Sequence, residues 1–176
     1  MARRTSLGNL QRAYEHFNER LFRGMLPPSL LTFQRRRGSD GSFSVRRFAE
    51  LEPGEVMYEI SLNPADLDAE TLLVHLVHQM VHLWQYHFAQ RPRTFYHDRE
   101  WARRMTELGL QPSDTGRPGG KTTGQRMSQY ILPDEPFELA CRELLATLSA
   151  EERKPWLPAR TARPYGPGPR PQPSRP

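Results

Sequence analysis

The stretch Leu76-Val77-His78-Gln79-Met80-Val81-His82-Leu83-Trp84-Gln85 decides how the chain is read. Residues four apart on a helix lie one turn along the axis and nearly on one line, so His78 and His82 can both face one ion. That spacing is a divalent-metal clamp. Zinc suits it best, because neutral imidazole is among its commonest ligands and a catalytic zinc takes three protein ligands plus a water. In the pattern His-Glu-x-x-His the glutamate takes the proton of that water; here position 79 is glutamine. The flanking Leu72, Leu73, Leu76, Val77, Met80, Val81, Leu83 and Trp84 are apolar nearly all round the helix, which predicts that it is buried. Imidazoles in so dry a place need partners, and a metal supplies one.

Working outward, Leu10, Ala13, Tyr14, Phe17, Leu21 and Phe22 recur at helical steps and predict an amphipathic helix over 7–23, stopped by Gly24 and Pro27-Pro28. Three short strands are expected at 30–36, 43–48 and 56–62. Gly38-Ser39-Asp40-Gly41 would join the first two as a hairpin, and Glu52-Pro53-Gly54 would turn into the third. Asp66 or Asp68 is placed to cap the histidine helix, which should run to about Phe88. A second helix is expected from Tyr96-His97-Asp98 to Leu108, closed by Gly109. Residues 111–124 read as a loop, 128–132 as a short strand and 136–148 as a final helix. The expected fold class is α+β, with a short antiparallel sheet and a buried His-x-x-x-His helix.

At 176 residues the chain suits a single domain over about 7–150 with an appendage at 151–176. That appendage has eight prolines in its last 22 residues and little to bury, so it is expected to be disordered. The net charge is +5, but six basic residues against two acidic ones place +4 of it between Glu151 and Pro176. The basicity therefore says little about the folded body. Cys141 alone excludes a disulfide framework or a Cys-rich zinc ribbon and fits a reducing compartment. With neither a signal sequence nor a membrane span in view, a cytoplasmic protein without membrane partners, and a monomer, is expected.

A catalytic zinc needs a third protein ligand. Of His16, His75, His87, His97 and the carboxylates, His97 opens the next helix after a loop long enough to fold back on the first, and is the best candidate. His75 shares the stripe of His78 and His82 one turn earlier, where a straight helix cannot bring it to the same tetrahedral ion. Arg35, Arg36, Arg37, Arg46 and Arg47, with Phe33, Phe43 and Phe48 between them, are candidate nucleic-acid contacts, against the plainer alternative of a solvated strand face. Tyr130 is a candidate donor to the transition state, against a plain core role. Asp98 is a candidate to orient a ligand, and Glu100 to cap its helix by reaching back to the His97 backbone, against plain surface solvation as the default for both.

Four stretches stand in order along the chain: Phe17-Asn18-x-x-Leu21-Phe22-x-Gly24-x-Leu26-Pro27, Glu59-Ile60-x-Leu62-Asn63, the helix from His78 to Gln85, and Tyr96-His97-Asp98-x-Glu100-Trp101. In these residues the chain resembles the SprT-like zinc metallopeptidases, the Spartan-related group, in a small bacterial or phage-type form. The loop Pro112-Ser113-x-Thr115-Gly116-x-Pro118-Gly119-Gly120-Lys121-x-Thr123-Gly124 is similar too. The resemblance implies a small zincin-like domain, one zinc on His78, His82 and His97, and cleavage of proteins, including ones crosslinked to DNA. Gln79 stands where the family has its general-base glutamate, and no Cys-rich ribbon follows the domain. The expectation is therefore an inactivated peptidase, whether the glutamine is introduced or natural. The alternative is a non-catalytic, zinc-stabilised module that binds nucleic acid or peptide.

Overall fold

The computed structural model describes residues 2–34, 40–46, 56–63, 68–89, 96–150 and 152, with main chain only for 2–6 and 46. Helix α1 (Ala2–Phe22) buries Leu10, Ala13, Tyr14, Phe17, Leu21 and Phe22 along the stripe their spacing predicts. Its end is pinned to the next strand. Asn18 donates from Nδ2 to the Leu26 carbonyl and accepts from the Leu26 N–H, both at 3.0 Å, and the Tyr14 hydroxyl donates to the Pro27 carbonyl.

Strands β1 (Ser29–Phe33), β2 (Gly41–Arg46) and β3 (Met57–Leu62) form one sheet in the order β1-β3-β2. This corrects the expected antiparallel sheet and its β1–β2 hairpin. β1 runs parallel to β3, with Leu31 opposite Ile60, while β2 runs antiparallel to it, with Phe43 opposite Ile60. The physical reason lies in β3 itself, which is buried on both faces. Ile60 and Leu62 join the core on one face, while Glu59 and Ser61 are buried on the other. Glu59 accepts hydrogen bonds from Thr32 on β1 and Ser44 on β2, at 3.0 and 3.5 Å. A buried carboxylate needs donors on both sides, which only a central strand has.

Helix α2 (Ala69–Phe88) lies against the sheet, and its first turn is capped by Asp68, which accepts from the Thr71 N–H at 2.7 Å. Its residues from 72 to 81 are buried without a break, as a helix covered by sheet and helices alike requires. Helix α3 (Arg99–Glu107) crosses it and ends at Gly109, whose φ of +88° is left-handed. The next residues were expected to open a loop. They form β4 (Leu110–Ser113), antiparallel to β5 (Ser128–Ile131), with Pro112 opposite Gln129. Pro112 hid the strand, but a two-stranded ribbon leaves each strand an edge where a missing N–H is tolerated. Helix α4 (Pro136–Thr147) packs on α1 through Phe137 stacked on Phe17, with ring centres 5.6 Å apart. The core runs through Phe17, Phe22, Leu76, Met80, Trp101 and Phe137. All but Glu152 of the tail lies outside the described residues.

Candidate metal centre

Two helices and a ribbon converge on three imidazoles. His78 and His82 extend from the middle of α2, and His97 sits just before α3. A bridge to Gly124 holds His97 in place, its N–H donating to the Gly124 carbonyl at 2.8 Å and its own carbonyl accepting the Gly124 N–H at 3.0 Å. The Nε2 atoms of His78 and His97 are 3.1 Å apart, and those of His82 and His78 are 3.3 Å apart. All three residues present ligand atoms within 4.8 Å of one another.

The opposite ring nitrogens say what these atoms are. His97 Nδ1 lies 3.0 Å from the Gly124 carbonyl, which can only accept, so Nδ1 carries the ring proton. His78 Nδ1 lies 2.7 Å from Gln129 Oε1 in the same relation. In neutral rings both Nε2 atoms are then bare lone pairs. Two lone pairs 3.1 Å apart repel unless a cation sits between them. That cation is poorly supplied as a proton. Burial pushes His78 down to about 3, helped by the neighbouring His97, with the Gln129 bond pulling weakly the other way. Burial, then His78 and His97, hold His82 well below its ordinary value, and burial lowers His97 against its carbonyl bonds. A divalent metal fits. For a tetrahedral ion with metal–nitrogen bonds of about 2.0–2.1 Å, adjacent ligand nitrogens stand about 3.3–3.4 Å apart, close to the separations found.

Trp101, fully buried, forms the floor: its ring centre lies 4.8, 5.5 and 4.4 Å from those of His78, His82 and His97, and it stacks on His82. Asp98 caps α3 by accepting from the Trp101 N–H at 2.9 Å. The cap weighed for Glu100 is thus supplied by Asp98, and the acceptor beside His97 Nδ1 is a main-chain carbonyl rather than a carboxylate.

The remaining sequence candidates lie elsewhere. His75 is buried near Asp40, with 3.8 Å between His75 Nε2 and the carboxylate, and stands outside the cluster. His16 bonds the Ala140 carbonyl across α1 and α4, and His87 pairs with the Tyr58 hydroxyl at the end of α2. Gln79 is buried one residue after His78, beside β2, where a methyl group on Gly41 would meet its Cγ. Tyr130 is half-buried on β5, and strand alternation sends its side chain to the face opposite Gln129, the residue that meets His78. Arg35, Arg36, Arg37 and Arg47, and the Arg46 side chain, lie outside the described residues. Three contributors were not foreseen: Gln129, Gly124 and Gln85, whose buried amide grips Asp98. Only Gln85 left a trace in the sequence, as the residue one turn after His82 on the same helix.

Among the described residues no helix is long and apolar enough to cross a membrane. The sequence model of the SprT-like family matches residues 10–118. A relative described as an uncharacterized protein in the mucB 3′ region of Salmonella typhimurium is 49% identical over 51 residues, which are 29% of this chain and 69% of that protein. No solved structure matches the chain. The SprT-like family is associated with zinc-dependent metallopeptidase activity. The matched residues take in α1 from Leu10 on, the three-stranded sheet, α2 and all three histidines, and the chain belongs to the SprT-like family.

Proposed function

We propose that this chain is a zincin-like SprT domain that holds one zinc ion on His78, His82 and His97 and binds protein substrates, with its peptidase chemistry silenced by Gln79. The observation that carries this is the set of Nε2 atoms facing one point while two of the rings give their protons to acceptors behind them. Three neutral nitrogens and no protein carboxylate is a donor set of the kind zinc takes in hydrolytic sites, where a fourth position stays open. Zinc held there supplies Lewis acidity and acidifies a water for attack on a scissile carbonyl.

What this chain's own residues do is bind and orient. Gln79, next to His78 on the helix, can accept a hydrogen bond from a nucleophilic water and donate one to a substrate carbonyl. Its amide cannot take and return a proton at neutral pH. General acid–base transfer is worth roughly 10²–10⁴ in rate, so turnover should sit near background. DNA-associated or DNA-crosslinked proteins are the substrate class that the family resemblance suggests.

The test pairs zinc content with cleavage of a DNA-bound basic protein, with and without DNA, for this chain and for Gln79→Glu. Zinc in both and cleavage by the glutamate form alone supports the reading. Zinc in both and cleavage by neither favours the second reading, a zinc-stabilised binding module, for which the amide at position 79 already argues.

A further inference from the structure

The family match contains the three histidines but stops at residue 118, before either group that orients them. Those groups are the Gly124 carbonyl and the Gln129 side chain, both carried by the segment that closes the β4–β5 ribbon. A metal takes the lone pair of one imidazole nitrogen, so the other must keep the ring proton. For His97 the main chain secures this, since a carbonyl has no proton to give. For His78 it depends on one side chain.

Without an acceptor at Nδ1, the His78 ring can carry its proton on Nε2 instead and donate it to His97 Nε2, 3.1 Å away. That pair satisfies itself and withdraws both lone pairs from an incoming ion. We propose that Gln129 is a positioning residue for the metal centre: its Oε1 holds the His78 proton on Nδ1 and so keeps His78 and His97 from closing on each other. The role presupposes the metal site proposed above.

The ribbon is built to present that acceptor firmly. Ser113, fully buried next to Gln129's partner Pro112, donates from Oγ to the Arg117 carbonyl at 2.6 Å and accepts the Thr115 and Arg117 N–H groups. At the other end, the Leu132 N–H donates to the Gly109 carbonyl and ties β5 to the end of α3. The helix that follows His97 and the strand that carries Gln129 are therefore joined.

The experiment uses the full chain, Gln129→Leu, which fills a similar volume without an acceptor, and Gln129→Glu, which keeps one. Zinc affinity is measured by competition with a chromophoric chelator, and both the unfolding midpoint and, by NMR, the His78 Nδ1 proton on metal-free protein. The leucine form should bind zinc about 10–100-fold more weakly with an unchanged metal-free midpoint. Its slowly exchanging His78 Nδ1 proton should be lost, and the glutamate form should restore both. If the leucine form does not fold, Gln129→Ala replaces it. Unchanged affinity and an unchanged Nδ1 proton in the leucine form overturn the role of Gln129 and leave the metal site standing. Equal losses in the leucine and glutamate forms overturn it as well, because packing alone would then explain them. If the unsubstituted chain binds neither zinc nor cobalt, the metal site and this role fall together.

Discussion

Gln85 on α2 donates its amide to both carboxylate oxygens of Asp98, at 2.8 and 2.9 Å, and thereby ties the histidine helix to the residue next to His97. Asp98 also caps α3, so one carboxylate fixes the start of that helix and its docking. Losing the cap costs about 1 kcal/mol, and stranding a buried amide donor costs about 1–3. Asp98→Ala should therefore destabilise the metal-free protein by about 2–4 kcal/mol, more than Gln85→Leu. Urea unfolding of both singles and the double would show non-additivity above about 0.5 kcal/mol; simple additivity would mean that the contact is incidental.

Restoring a carboxylate at the helix should restore chemistry. Gln79→Glu is expected to raise protein cleavage by roughly 10²–10⁴ without a large change in zinc affinity. Discontinuous gel assays on zinc-loaded protein check this, and equal turnover in the two forms would contradict the part assigned to Gln79.

Metal should stabilise the fold. An ion that binds only the native state at about a thousand times its dissociation constant adds about 4 kcal/mol, a rise in melting temperature on the order of 10 °C for a domain of this size. Chelator should reverse the rise, and His97→Ala should abolish it. His16→Ala, at the α1–α4 contact, should leave it intact.

Acid should act in one direction. Burial lowers His75, His78, His82 and His97, so below their ordinary value of 6.5 the unfolded chain takes up protons that the folded chain refuses. Stability of the metal-free protein is full above that value and falls with pH beneath it, levelling for His78 only near 3. Each group contributes a slope of up to about 1.4 kcal/mol per pH unit. Urea midpoints between about pH 7 and pH 5 measure it, and a flat profile would show that these rings are not held neutral. Zinc should be released over the same descent, since protons compete for the same nitrogens.

The sequence exposed those parts of the molecule that depend on near neighbours. His78 and His82 share a face because a helix repeats, and Asp68 caps because it stands just before an apolar run. His97 was legible through the length of the loop before it. Gln129 was not, since it meets His78 across 51 positions, and nothing in Ser-Gln-Tyr marks one amide among many. Gly124 was illegible in a stronger sense. What it offers His97 is a carbonyl, which every residue possesses. The sheet order failed for a related reason: Gly38-Ser39-Asp40-Gly41 looks like a hairpin, but local turn chemistry cannot announce a parallel partner 29 residues on.

That sheet order also dictates a sequence of events. β1 emerges from synthesis before the other two strands of its sheet but has no partner until β3, and β2 must wait for β3 as well. Loop closure favours the β2–β3 pair first, with β1 joining afterwards and bringing α1, fastened through Asn18 and Tyr14, onto the core. The N-terminal helix is thus the first element made and among the last secured. Substitutions in β3 should slow folding, whereas those at the Asn18–Leu26 clasp should chiefly speed unfolding.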